Sequence, residues 1–162
     1  MGIILGFTGP IESLTPAMAA SAELAFKEAS DSGSLLGGKY IKAERADSTC
    51  VDSAAATTAA EGLIAGGVVA IMGADCSGVT GAIATNAAVP NGVVMISPSA
   101  TSPGLTTLAD NGYFFRTAPS DARGGQVLAD ITKDRKVKTI AVTHTNNDYG
   151  KGLAGVYVAA AT

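Results

Sequence analysis

A chain of 162 residues with 47% apolar side chains is long enough to bury the core of one α/β domain. Its net charge of −3 comes without any cluster of Lys or Arg, so the electrostatic footprint of a nucleic-acid or anionic-membrane binder is missing. No window reaches the roughly 18 consecutive apolar residues of a membrane-spanning helix, and an aromatic share of 5% suits close helix-on-sheet layers better than a large aromatic pocket.

The run IILGF (residues 3–7) is continuously apolar, as a strand covered on both faces should be. After the loop TGPIESL, Thr15 is predicted to cap a helix with Pro16 in its first turn, and Met18, Ala22, Ala25, Phe26 and Ala29 recur at helical spacing. KYIKAER (39–45) sets Tyr40, Lys42 and Glu44 against Ile41 and Ala43, the pattern of a strand with one wet face. Asp52 is predicted to cap a helix over 53–65 that Gly66 or Gly67 ends. VVAIM (68–72) reads as a buried strand, 77–88 as a helix and GVVMI (92–96) as the next buried strand. A short helix around Leu105 to Leu108 and the strand YFFRT (113–117) follow. The chain then offers a helix from Asp121 to about Lys133, a strand KTIAVT (138–143) and a helix from about Tyr149 to Ala161. Strand and helix in alternation at this spacing imply right-handed βαβ units. The expected fold class is therefore α/β, three layers (α/β/α) around a mostly parallel sheet, flavodoxin-like.

In such a sheet every strand points its carboxyl end to one rim, where the loops form the binding crevice. Those loops are TGPIESLT, ADSTCVD, GADCSG and SPSATSP. The last two are small and hydroxyl-bearing and each opens a helix, so Ser77, Gly78, Thr101 and Ser102 offer N–H and O–H donors to an anion. Carbonyls at Ser99 and Ala100 would accept from a cation. Donors and acceptors this close suit a zwitterion. Ordinary helix N-caps would use the same Ser and Thr, so the pattern alone leaves a cap-only role open. Phosphate fits poorly, because GADCSG matches neither G-x-G-x-x-G nor a Walker A sequence and no Lys follows.

Catalytic chemistry has little to build on. His144 is the single histidine and lies in a polar loop, and no G-x-S-x-G or H-E-x-x-H is present. Cys76 at a helix start is a candidate activated thiolate for acyl transfer, with only His144 to act as base. Cys50 and Cys76 are too few for a zinc site and are otherwise one disulfide or two inert thiols. A receiver-type signalling module would need an acidic cluster at the end of the first strand, where only Glu12 stands. No cofactor or metal is expected.

GPIESL with its following helix, ADSTC, GADCSGVT, ISPSATSPGLT, YFFRTAPSD and NDYGKG occur in this order over nearly the whole chain. Together they resemble the leucine/isoleucine/valine-binding type of type I periplasmic solute-binding proteins of ABC transporters. The resemblance implies a non-enzymatic amino-acid receptor without cofactor, periplasmic after removal of a signal peptide, that serves the transporter's membrane subunits. Carried over residue by residue, it implies Ser77 as the partner of the ligand carboxylate. Ser99, Ala100 and Thr101 would hold carboxylate and ammonium, and Tyr149 would touch the ligand from a second lobe. Leu14 falls in a loop that closes over the ligand, at a variable position. The family often joins two cysteines placed like Cys50 and Cys76, which implies a disulfide.

Family members have two lobes and a longer chain. Residues 1–120 are therefore expected to be an incomplete first lobe, and 121–162 the crossover and the opening helix-strand-helix of the second. KTIAVT is expected either to dock beside the first-lobe sheet as one more parallel strand or to be exchanged in a homodimer. An acidic partner for the ammonium is expected beyond Thr162, and binding by this piece alone is expected to be weak.

Overall fold

The structure is a computed structural model that describes residues 1–162, apart from the side chain of Leu36. Five parallel strands, β1 (Gly2–Leu5), β2 (Glu44–Asp47), β3 (Ala70–Gly73), β4 (Val94–Ser97) and β5 (Phe114–Arg116), form one sheet in the order β2-β1-β3-β4-β5. Side chains alternate across β1, so Ile3 and Leu5 face one layer and Ile4 the other, all fully buried. Helix α1 (Thr15–Asp31) covers the first face with Ala19, Met18, Ala22 and Phe26. Helices α2 (Ser53–Ala65) and α3 (Ser77–Ile83) cover the second, where Ala56, Ala60, Val79 and Ile83 meet Ile4, Ile71 and Met95. Small alanines on α2 let its backbone approach the sheet closely. The first face is covered less completely, and beside Met18 and Ala22 the residues Met72, Ile96 and Pro98 line a shallow apolar cleft of about 400 Å³.

Several boundaries differ from the sequence expectation. Lys39–Ala43 do not extend β2, because β1 begins at Gly2, opposite Glu44, and leaves the earlier residues no ladder partner beyond Met1. Thr15 is not an N-cap. It is the first residue of α1, fully buried, and its hydroxyl donates to the carbonyls of Gly6 and Glu12, which pins the helix start to the end of β1. Asp52 does cap α2, accepting from Ala54 N and Ala55 N at 3.0 Å each. The helix expected over 77–88 widens at Ala84–Ala88 into a π-helical turn, and Pro103–Thr107 form a 3-10 turn.

The largest departure is KTIAVT. Residues 137–145 have no regular secondary structure, and Ile140 and Val142 are each 41% exposed. The segment pairs with none of the five strands, so it is not the additional parallel strand expected from its composition. A β-rich sequence becomes a strand only where a neighbour supplies the ladder, and here α4 (Asp121–Asp134) packs chiefly on α5 (Asp148–Ala161). That helical hairpin is tight at Gly125, where a Cβ would lie 2.7 Å from Val156 Cγ1 and 2.9 Å from Tyr157 N. Contact with the rest of the molecule comes chiefly through α5, which meets α3 and the Pro103–Thr107 turn, and also through Asp121 at the start of α4, which bonds Thr101. At Gly152 a Cβ would lie 2.9 Å from Pro103 Cδ.

Candidate functional site

The carboxyl ends of β1 to β4 meet at one rim. Cys50, just after β2, and Cys76, at the N-cap of α3, are joined by a disulfide with Cα atoms 5.2 Å apart. Because β1 lies between β2 and β3, the bridge has to pass the end of β1. It passes at Gly6, where a Cβ would sit 3.2 Å from Cys50 Cβ. Thr49 and Cys50 reach the bridge with φ of 57° and 68°, a left-handed backbone that costs each non-glycine residue about 1–3 kcal/mol. Asp47 anchors this turn by accepting from Thr49 N at 2.8 Å and from the Thr8 hydroxyl at 2.6 Å. Burial raises the Asp47 carboxyl, but the Thr8 hydroxyl and the N–H groups of Thr49, Thr8 and Phe7 outweigh it and hold the group below the usual carboxylate range.

Three hydroxyls at the rim have forced hydrogen-bond directions. Ser102 N donates to Ser77 Oγ at 3.1 Å, so Ser77 accepts there and keeps its own proton for another partner. The Thr101 hydroxyl donates to Asp121 Oδ2 at 2.7 Å and the Ser99 hydroxyl to the Asp75 carbonyl at 3.1 Å, so these two have spent their protons and can only accept. Neither Ser77 nor Thr101 serves as an N-cap. Ser77 is the first residue of α3, capped by Cys76 without a side-chain bond, and the Pro103–Thr107 turn has Ser102 before it. The cap-only role left open by the sequence is thus filled by neither side chain, because both are engaged across loops.

Ala100 departs from expectation in another way. It is fully buried, its N–H donates to Ser97 Oγ at 3.0 Å, and its carbonyl accepts from Arg116 Nη1 at 3.2 Å instead of lying open. Arg116 also donates to the Ser102 carbonyl at 2.8 Å and to the Thr106 hydroxyl, tying β5 to the loop that follows β4. Sequence reasoning passed over both Arg116 and Asp121. Each lies in the quoted FFRTAPSD stretch, but Arg116 reads as part of a strand and Asp121 as a first-turn acid at a helix start, and only their contacts give them a role.

Ser77 and Ser102 also line a cleft of about 500 Å³ together with Leu105, Leu108, Asp148 and Lys151. Asp148 brings the start of α5 to that of α3, with Oδ2 3.6 Å from where a Gly78 Cβ would be. Tyr149, the next residue, is 45% exposed at this junction, and its turn is held by Asn147 Oδ1 accepting from Gly150 N at 2.9 Å. Ser77, Ser99, Thr101 and the start of α5 therefore gather at one end of the sheet. The disulfide takes Cys76 out of use as a nucleophile, and His144, exposed, bonds among the described residues only to the neighbouring Thr145 carbonyl. The acyl-transfer alternative has lost its thiolate. Among the described residues, no group of three His, Cys, Asp or Glu side chains is gathered as a metal site.

Comparison with known proteins assigns the family and the fold. Residues 17–161 match the family described as the receptor family ligand binding region. The Leu/Ile/Val-binding protein homolog 3 of Brucella melitensis is 30% identical over 161 residues, 99% of this chain and 43% of that protein. The leucine-, isoleucine-, valine-, threonine- and alanine-binding protein of Pseudomonas aeruginosa is 34% identical over 150 residues, 91% of this chain and 39% of that one. Among solved structures, the branched-chain amino acid transporter substrate binding protein LivJ of Streptococcus pneumoniae in complex with isoleucine superposes with a TM-score of 0.84 at 28% identity, over 98% of this chain and 45% of that one. An ABC transporter substrate-binding protein of Desulfitobacterium hafniense in complex with Leu gives 0.79 at 26% identity, over 99% of this chain and 46% of that one. The chain spans less than half the length of these relatives. With the family pattern running from α1 to the end of α5 on a shared fold, the chain belongs to the receptor family ligand binding region and carries the type I periplasmic binding protein fold.

Proposed function

We propose that the chain contributes one wall of an α-amino-acid-binding site in the solute receptor of an ABC transporter. One observation carries the reading: the rim hydroxyls are polarised in opposite senses. Ser77, which accepts from Ser102 N, has its proton free for a carboxylate. Thr101 and Ser99, whose protons go to Asp121 and the Asp75 carbonyl, present lone pairs to an ammonium. A zwitterion needs both polarities a few ångströms apart. Asp121 adds the negative charge that the sequence alone would have sought beyond Thr162. Because the Ala100 carbonyl is buried and already bonded by the Arg116 guanidinium, Ala100 would reach the ammonium only if the loop shifted on binding, and Asp121 supplies most of the stabilisation. Tyr149 closes over the ligand from α5.

The relative named for Leu, Ile and Val and the solved relatives that hold Leu and isoleucine support an apolar ligand side chain. A disulfide suits an oxidising compartment, which supports the periplasm as the place of work and transporter membrane subunits as partners of the complete receptor. The role is binding without catalysis and without a cofactor. Residues 1–120 act as the first lobe and 121–162 as the beginning of the second, docked in cis through α5; exchange of that segment in a homodimer is the competing arrangement. Titration with leucine at millimolar concentration, followed by NMR, tests the reading. Ser77→Ala should weaken binding about ten- to a hundredfold, the loss of one charge-assisted hydrogen bond. Equal affinity of wild type and variant would contradict it.

A further inference from the structure

Asp75 is 4% exposed, and among the described residues no Lys, Arg or His pairs with it. A buried carboxylate survives only if dipoles satisfy it. Here they come from three directions. Oδ2 accepts from Gly6 N at 2.8 Å, past the end of β1. Oδ1 accepts from the Ser48 hydroxyl at 3.3 Å, past the end of β2, and from Cys76 N at 3.0 Å, at the start of α3. The backbone carbonyl of the same residue accepts from the Ser99 hydroxyl at 3.1 Å, in the loop after β4. One residue thereby bonds the chain leaving β1, β2 and β4 while itself following β3.

Two of those bonds act on groups assigned to the ligand. The Cys76 N–H bond fixes the Asp75–Cys76 peptide, one residue ahead of Ser77, and the Ser99 bond determines which polarity Ser99 presents. An apolar residue would fill the same space without joining the loops, and a buried charge that no cation balances is costly unless the geometry around it is held. We infer that Asp75 is the positioning residue of the amino-acid site, locking four strand ends into the arrangement that grips the ligand without touching the ligand itself. This inference rests on the amino-acid reading above.

Asp75→Asn keeps the shape but turns one acceptor into a donor facing Gly6 N–H or Cys76 N–H. Amide exchange should accelerate about tenfold or more at Gly6, Cys76 and Ala100 while Ile4, Ile71 and Met95 stay protected, and leucine should bind about tenfold more weakly. Ser48→Ala removes one donor without adding any group that opposes one, and should give the same pattern at smaller amplitude; it decides the matter if the first variant does not fold. Ile83→Val, a mild core destabilisation, should leave leucine affinity unchanged, which separates positioning from general loss of stability. Unchanged leucine affinity in Asp75→Asn, or faster exchange spread evenly over the sheet, would overturn the inference. If the wild-type chain binds no α-amino acid, the functional reading fails. The exchange pattern then still decides whether Asp75 locks the strand ends: acceleration confined to them supports it, and a uniform or absent change overturns it.

Discussion

Thr101 and Asp121 bond each other twice: the Asp121 N–H donates to the Thr101 carbonyl at 2.9 Å, and the Thr101 hydroxyl donates to Asp121 Oδ2 at 2.7 Å. The pair joins the loop after β4 to the first turn of α4, and it sets the hydroxyl as an acceptor. Asp121→Asn retains an oxygen for Thr101 but removes the charge. Leucine affinity should fall about tenfold or more, while stability should fall by only about 1 kcal/mol, the scale of a first-turn acid on a helix dipole. Titration together with urea unfolding separates the two effects. Equal losses in both would assign Asp121 to the fold alone.

The Cys50–Cys76 bridge closes a loop with a sequence separation of 26. Its removal by Cys50→Ala with Cys76→Ala should cost about 3 kcal/mol in the chain-entropy account, part of it returned as Thr49 and Cys50 leave the left-handed region. A thiol titration of unfolded protein never exposed to reductant should find no free thiol. Two free thiols would contradict the bridge.

Asp47 makes stability depend on pH. Its carboxyl is held below the usual range in the folded chain, so its contribution is complete above the ordinary aspartate value of about 3.9 and is lost as pH falls through the lowered folded value. Asp47→Asn should therefore be less stable than wild type at neutral pH, and the difference should shrink in acid. Urea midpoints measured at neutral and acid pH check the sign. A difference that grows in acid would contradict the hydrogen bonds from Thr8 and Thr49.

The helical hairpin makes a separate prediction. Gly125→Ala puts a methyl 2.7 Å from Val156 Cγ1 and 2.9 Å from Tyr157 N, a contact that the backbone of α5 cannot easily relieve. The α4–α5 packing should loosen by about 1–3 kcal/mol, with faster amide exchange along both helices. In the wild type, amides of residues 138–145 should exchange quickly, since no strand bonds them. Protection there equal to that of Ile71 would mean that a ladder partner exists.

Much of the fold was legible because local signals agreed with each other. Continuous apolar runs gave the places of β1, β3 and β4, and Asp52 with Gly66 gave both ends of α2 to the residue. KTIAVT was misread for a physical reason: its β-branched pattern states a preference, and the preference is met only where a strand edge is offered. Ser77, Ser99 and Thr101 were legible as hydroxyls on rim loops and as a resemblance, but not in their polarity. That depends on Ser102 N, the Asp75 carbonyl and Asp121, partners 25, 24 and 20 residues away. Arg116 and Asp75 were invisible for the same reason, since a charge buried among backbone groups looks in sequence like any loop charge.

The opposed polarity of Ser77 and Thr101 is tested most directly by titrating wild type, Ser77→Ala and Asp121→Asn with leucine, leucinamide and N-acetyl-leucine. Leucinamide lacks the carboxylate and N-acetyl-leucine the ammonium. The account predicts that wild type binds leucine best, that Ser77→Ala weakens leucine about tenfold or more but hardly changes leucinamide, and that Asp121→Asn weakens leucine similarly but hardly changes N-acetyl-leucine. Wild type binding all three ligands equally, or both variants losing the same affinity for each, would contradict it.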